Sequence, residues 1–120
     1  APKAELTLVE PAEGQGEDAA AVERMILRVN ELAKEKLAAG SRVGIICTDE
    51  SRDRYEGGLV RSIGARAKKE TVAHNLYAVL REFDDLKVDY IYSESFSEDH
   101  LGQAIMNRLS KAAGYHIERV

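Results

Sequence analysis

In the stretch Arg42-Val43-Gly44-Ile45-Ile46-Cys47-Thr48, apolar residues follow one another almost without a polar break. A strand with one wet face alternates apolar and polar residues, whereas a near-continuous run is buried on both faces. Gly40 and Asp49 bound the run, so its length is that of a strand. It reads as the central strand of a parallel sheet.

The neighbours on either side agree. Upstream, Val22, Met25, Ile26, Val29, Leu32 and Ala33 recur at helical spacing, which predicts an amphipathic helix over residues 18–39. Glu17 and Asp18 suit its positive end, Lys34 and Lys36 suit its negative end, and Gly40 suits its C-terminal cap. Before it, Leu6, Leu8 and Val9 form a strand over residues 5–10 that Pro11 stops, followed by a loop over 12–16. Gly14-Gln15-Gly16 has two glycines after a strand, but the dinucleotide fingerprint is not completed, so a flexible connection is the reading.

Downstream, residues 49–58 are polar and form a loop with room for one helical turn. Residues 59–63 form a strand closed by Gly64. Val72, Leu76, Val79, Leu80 and Phe83 stripe a helix over 69–85. Val88, Tyr90, Ile91 and Tyr92 mark a strand over 88–93. Leu101, Ile105, Leu109 and Ala112 place the core side of a helix over 98–113, and residues 115–118 form an edge strand after Gly114. Alternation of this kind predicts a Rossmann-like three-layer α/β sandwich, a mainly parallel five-stranded sheet with helices on both faces.

The composition narrows the function classes. At 120 residues, 44% hydrophobic and 32% charged, the chain fits one globular domain. With 17 basic and 21 acidic side chains the net charge is -4, which gives no grip on nucleic acid and no pull toward anionic lipid. No run is long enough to span a membrane, and Ala1-Pro2-Lys3-Ala4-Glu5 does not read as a signal peptide, so the expected location is cytoplasmic. The opening on Ala1 instead of Met fits a fragment or a trimmed chain equally. Cys47, the one cysteine, rules out an internal disulfide and reads as a core thiol.

Open parallel sheets bind ligands at the C-terminal ends of their strands. Three segments arrive there: Thr48-Asp49-Glu50, Gly64-Ala65-Arg66 and Ser93-Glu94-Ser95. Asp49 and Glu50 are of the type that holds magnesium beside a phosphate, but no P-loop lysine accompanies them. Arg66 lies near a helix start, where an anion rests well against backbone N–H groups. Polar loop ends also simply face water, and that reading stands beside each of these. His74 and His116 read as surface residues and His100 as the start of a helix, with no metal spacing among them. Tyr90 and Tyr92 share a strand face, either as a stacking surface or as packing.

The most distinctive run is Leu101-Gly102-Gln103-Ala104-Ile105-Met106-Asn107-Arg108-Leu109-Ser110-Lys111-Ala112-Ala113-Gly114. It resembles the Gly-Leu-Gly-x-Ala-Ile-x-Asn-Arg-Leu-x-Lys-Ala-Ala pattern in the C-terminal domain of the two-domain, long type of threonylcarbamoyl-AMP synthase. His100 stands where that pattern has its first glycine. The segments 73–84, 88–94 and 62–66 resemble the same family in order, and Ala1-Pro2-Lys3-Ala4 resembles the end of its interdomain linker. The resemblance implies residues 1–4 as linker and residues 5–120 as one accessory domain. It implies a parent enzyme that joins threonine, bicarbonate and ATP into threonylcarbamoyl-AMP and pyrophosphate, for threonylcarbamoyladenosine formation on tRNA. ATP and magnesium would then belong to an N-terminal catalytic domain, with no cofactor and no catalytic residue in this chain.

Asn107 and Arg108 are polar positions that packing does not require, and Gly102 permits close backbone approach. All three are candidates for the strand-end crevice or for contact with the catalytic domain, with Pro2 and Lys3 as linker residues. Capping, or bonding to a neighbouring loop, is the structural alternative. Three classes stay open: an accessory domain that closes the linker over a neighbouring site, an independent nucleotide- or phosphate-binding module, and a small free-standing enzyme. No nucleophile or metal motif supports the third.

Overall fold

The computed structural model describes residues 2–12, 16–99 and 101–120. The elements are β1 (Glu5–Glu10), α1 (Ala19–Ala38), β2 (Val43–Cys47), a 3-10 turn (Arg52–Arg54), β3 (Leu59–Ser62), α2 (Lys69–Asp85), β4 (Tyr90–Glu94), α3 (Leu101–Ala112) and β5 (Ile117–Arg119). The strands form one sheet in the order β3-β2-β4-β1-β5. Each pairing is parallel, with Leu6 opposite Ile91 and Ile91 opposite Gly44 across the middle. The expected α/β sandwich is therefore present, with a sheet that is wholly parallel. The readings placed on Gly14, Gln15 and His100 lie outside the described residues.

Period-2 alternation sorts the core into two layers. Val9, Val43, Ile45, Cys47 and Tyr92 face α1, which answers with Met25, Ile26, Val29 and Ala33. Leu6, Leu8, Ile46 and Ile91 face the other way, where α2 supplies Val72, Leu76, Val79 and Phe83 and α3 supplies Ile105, Met106 and Leu109. Each of these large side chains contributes about 1.5–3 kcal/mol by leaving water. Gly44 is a glycine for packing reasons. A Cβ there would stand 2.9 Å from the Phe83 ring, so the ring lies directly on the strand.

Three expectations need correction. β2 is buried on both faces as its composition predicts, but the middle of the sheet is β4. The sequence hides this because the far end of β4 carries Ser93 and Glu94, polar residues buried for reasons of their own. Leu101 is 46% exposed and is not core. α3 begins at Leu101 because Ser97–Asp99 form a turn first, with the Gly102 N–H donating to the Asp99 carbonyl at 2.7 Å. The helix therefore turns Gly102, Ile105, Met106 and Leu109 inward. The last strand starts at Ile117, not Tyr115, because Gly114 and Tyr115 both take positive φ to end α3.

Candidate functional site

The three polar segments expected at the strand ends do converge. Period 2 along β4 carries Glu94 to the α1 side with Tyr90 and Tyr92, and its side chain is fully buried. Arg66, from the loop between β3 and α2, donates from Nη2 to Glu94 Oε1 at 2.8 Å. Its Nη1 donates to the Ser95 carbonyl at 2.8 Å and to Glu17 Oε2 at 2.5 Å. The guanidinium lies over the Phe96 ring, 4.4 Å from its centroid. Glu94 Oε2 accepts from Ser51 Oγ at 2.6 Å and from the Tyr55 hydroxyl. Arg66 is thus the hub of a network that joins four connecting loops.

Glu17 completes the hub. It accepts from Lys69 Nζ at 2.7 Å and from Ser97 Oγ at 2.5 Å, besides Arg66. Burial alone would raise its carboxyl pKa, but the hydrogen bonds from Lys69, Ser97 and Arg66 outweigh burial and hold it at about 2. Burial, the nearby Glu94 charge and the hydrogen bond to that carboxylate together push the Tyr55 hydroxyl upward, so it stays a donor. The Cys47 thiol is likewise pushed up to about 12, by burial and then by Glu94, which keeps it an inert core group.

A second carboxylate serves the loop itself. The Arg66 and Ala67 N–H groups donate to Glu50 at 2.8 Å and 3.1 Å. The anion expected against the backbone near Arg66 is therefore this chain's own Glu50, and both of its oxygens are engaged. Asp49 accepts from Ser62 Oγ at 2.5 Å. Gly64 holds φ at 132° and gives its carbonyl to the Asp49 N–H at 2.9 Å. Ser93 is buried inside β4 and does not reach the hub. Among the described residues no group of three or more His, Cys, Asp or Glu is arranged for a metal ion. With both Glu50 oxygens engaged and Arg66 paired, the strand ends do not fit a magnesium–nucleotide.

Glu17, Ser51, Tyr55, Lys69 and Ser97 were missed by sequence reasoning. Glu17 reads as a helix-dipole residue, but Asp18 is the cap, accepting from the Ala21 N–H at 2.7 Å, and Glu17 turns away across the sheet. One faint signal existed: Tyr55 is an aromatic in an otherwise polar loop.

Asn107 and Arg108 are not at the strand ends. They line a groove of about 560 Å³ between α2 and α3, with Pro2, Leu76, Tyr77 and Arg81. The Arg108 guanidinium stacks 4.2 Å over the exposed Tyr77 ring. The Lys3 N–H donates to Asp84 Oδ1 at 2.9 Å near the end of α2. Tyr92 is covered by α1 and Tyr90 carries Lys36 over its ring, so their face is packing and not an open stacking surface.

A family model for the C-terminal domain of threonylcarbamoyl-AMP synthase matches residues 1–114. The chain belongs to this family. It is 48% identical over 92 residues to threonylcarbamoyl-AMP synthase of Bacillus subtilis, covering 77% of this chain and 27% of that protein. It is 37% identical over 93 residues to the Pyrococcus abyssi enzyme, covering 78% and 26%. The chain thus spans about a quarter of the length of the curated relatives it matches. Among solved structures, P. abyssi Sua5 complexed with L-threonine superposes with a TM-score of 0.78 at 33% identity, over 100% of this chain and 31% of that one. The C-terminal Sua5 domain from Pyrococcus horikoshii superposes at 0.73 with 34% identity, over 100% of both chains.

In this C-terminal domain the α3 pattern has two separate explanations. Gly102 is required by space: a Cβ there would stand 1.8 Å from the Ser97 carbonyl oxygen. Asn107 and Arg108 are exposed and packing leaves them free to vary.

Proposed function

We propose that the chain is the accessory domain of an L-threonylcarbamoyladenylate synthase and is not catalytic alone. The parent reaction joins threonine, bicarbonate and ATP into threonylcarbamoyl-AMP and pyrophosphate, supplying tRNA threonylcarbamoyladenosine modification in the cytoplasm. ATP and magnesium belong to the N-terminal catalytic domain, which is this domain's partner. Residues 1–4 are the end of the linker and residues 5–120 the domain that helps close that linker over the catalytic site.

The observation that carries this reading is that the anion positions at the strand ends are filled from within. Glu17 lies against Arg66 and Lys69, and Glu50 lies against the 66–67 backbone. A nucleotide or phosphate module presents backbone N–H groups to its ligand, and here the Arg66 and Ala67 N–H groups are taken by Glu50. The hold on the linker end, through Pro2 in the α2–α3 groove and Lys3 on Asp84, supports the same reading. Gly102, Asn107 and Arg108 then serve the interdomain contact, Gly102 by shaping the start of α3.

Two measurements test it. The full enzyme releases pyrophosphate faster than the same enzyme lacking this domain, and a double Asn107→Ala, Arg108→Ala variant lowers that rate while the domain stays folded. Equal rates would remove the helper role. Calorimetric titration of the 120-residue chain with ATP, AMP or pyrophosphate plus magnesium gives no saturable heat. Micromolar binding, about -8 kcal/mol, would replace this reading with the nucleotide module.

A further inference from the structure

The Glu17 environment is more than an ion pair. β1 feeds α1 on one face of the sheet and β4 feeds α3 on the other, and β1 and β4 are adjacent. Their ends therefore form the switch point at which open parallel sheets hold ligands. Three donors, Arg66 Nη1, Lys69 Nζ and Ser97 Oγ, converge there on one carboxylate. Arg66 Nε is buried without a hydrogen-bond partner among the described residues. Beside it opens a cleft of about 540 Å³, with Ala19, Val22 and Ile26 on one wall and Thr48 and Ser51 on the other.

We propose that the Arg66–Lys69–Ser97 cradle is a site for a small carboxylate ligand of the α-amino-acid class, kept filled by Glu17 until the ligand displaces it. Charge selects the class. With Glu17 withdrawn, Glu23, Glu50, Glu94 and Asp99 stand against Arg54, Arg66 and Lys69, so the site keeps a slight negative balance. Such a site suits one carboxylate, held by the cradle, on a body that also carries an amine for the surrounding carboxylates. It resists phosphates, whose further negative charge meets Glu23 and Glu50. The apolar wall accepts the ligand's side chain, and the volume limits it to a single small molecule. The proposal goes beyond the accessory role, because it gives the domain an effector of its own.

The test uses the 120-residue chain, since the P. horikoshii domain of matching extent forms the same fold as a separate chain. The standard α-amino acids are titrated one at a time, beside acetate, inorganic phosphate and AMP. At least one amino acid gives saturable binding with Kd at or below about 1 mM. Glu17→Ala binds it about tenfold tighter, because the tethered competitor is gone, and Lys69→Met weakens it by about tenfold. Glu17→Ala also melts several degrees lower, and acetate restores its Tm in a saturable manner. No amino-acid binding by the unaltered chain overturns the proposal, even where acetate rescues the variant, since the cradle is then a structural clasp. Binding of phosphate or AMP in preference overturns the class. None of these outcomes bears on the helper role, which is read from turnover of the full enzyme.

Discussion

Two arginines of this domain sit in opposite circumstances. Arg66 keeps 12% of its side chain exposed and joins Glu17, Glu94 and the Phe96 ring. Arg108 lies on the outside of α3, stacked on Tyr77, which is itself 58% exposed. In the first region burial strengthens each charge's need for its partner; in the second, solvent and salt screen whatever the arginine meets. Arg108 belongs to the most distinctive run of the sequence, and Arg66 to an unremarkable loop. Prominence in a sequence therefore does not track energetic weight. Packing does not require Arg108, whereas the fold itself requires the buried hub.

The sharpest way to break this contrast is at Glu94. Glu94→Ala deprives Arg66, Ser51 and Tyr55 of their shared acceptor at once. Removing one partner of a buried pair costs about 3–5 kcal/mol. Urea unfolding should show that loss with an unchanged slope; a change below about 1 kcal/mol would erase the distinction between the two regions.

Acid supplies a second probe of the hub. The Glu17 carboxyl is held at about 2 in the fold against an ordinary 4.5. A depressed pKa means that the stabilisation is fully present above pH 4.5 and is lost as the pH falls toward 2. Glu17→Gln should flatten the stability profile across that window, and an unaltered profile would show that the network does not depend on this carboxylate.

Gly102 separates space from charge. Alanine is the better helix former by about 1 kcal/mol, so an unhindered site would gain from the change. The Ser97 carbonyl 1.8 Å from the added Cβ reverses the sign. Gly102→Ala should cost about 1–3 kcal/mol in a thermal melt, and a gain would mean that the turn before α3 yields easily. Arg108→Ala completes the series with the smallest effect, about 0.5–1 kcal/mol from the lost ring contact. A larger loss of stability would make Arg108 structural and weaken its assignment to an interdomain contact.

What was legible follows from the range of the interactions. The helical stripes of α1 and α2, the doubly buried β2 and the parallel alternation are local patterns, and one pass along the chain reveals them. The convergence of Glu50, Arg66 and Glu94 was also legible, because strand ends meet in any parallel sheet. Glu17 was not. Its partners Arg66 and Ser97 lie 49 and 80 residues away, and no spacing rule links such positions. Its neighbour Asp18 answered the helix start, which left Glu17 free in a way that only coordinates reveal.

By itself the sequence determined the class of fold, the identity of the buried faces and the family likeness, since periodicity and short runs are properties of neighbours along the chain. The tertiary structure alone decided that β4 holds the middle of the sheet, that Leu101 stays in water, and that the strand-end anion positions are filled by Glu17 and Glu50. Those outcomes depend on which distant segments are brought into contact. That is set by the strand order and by the need of each buried charge to find a partner.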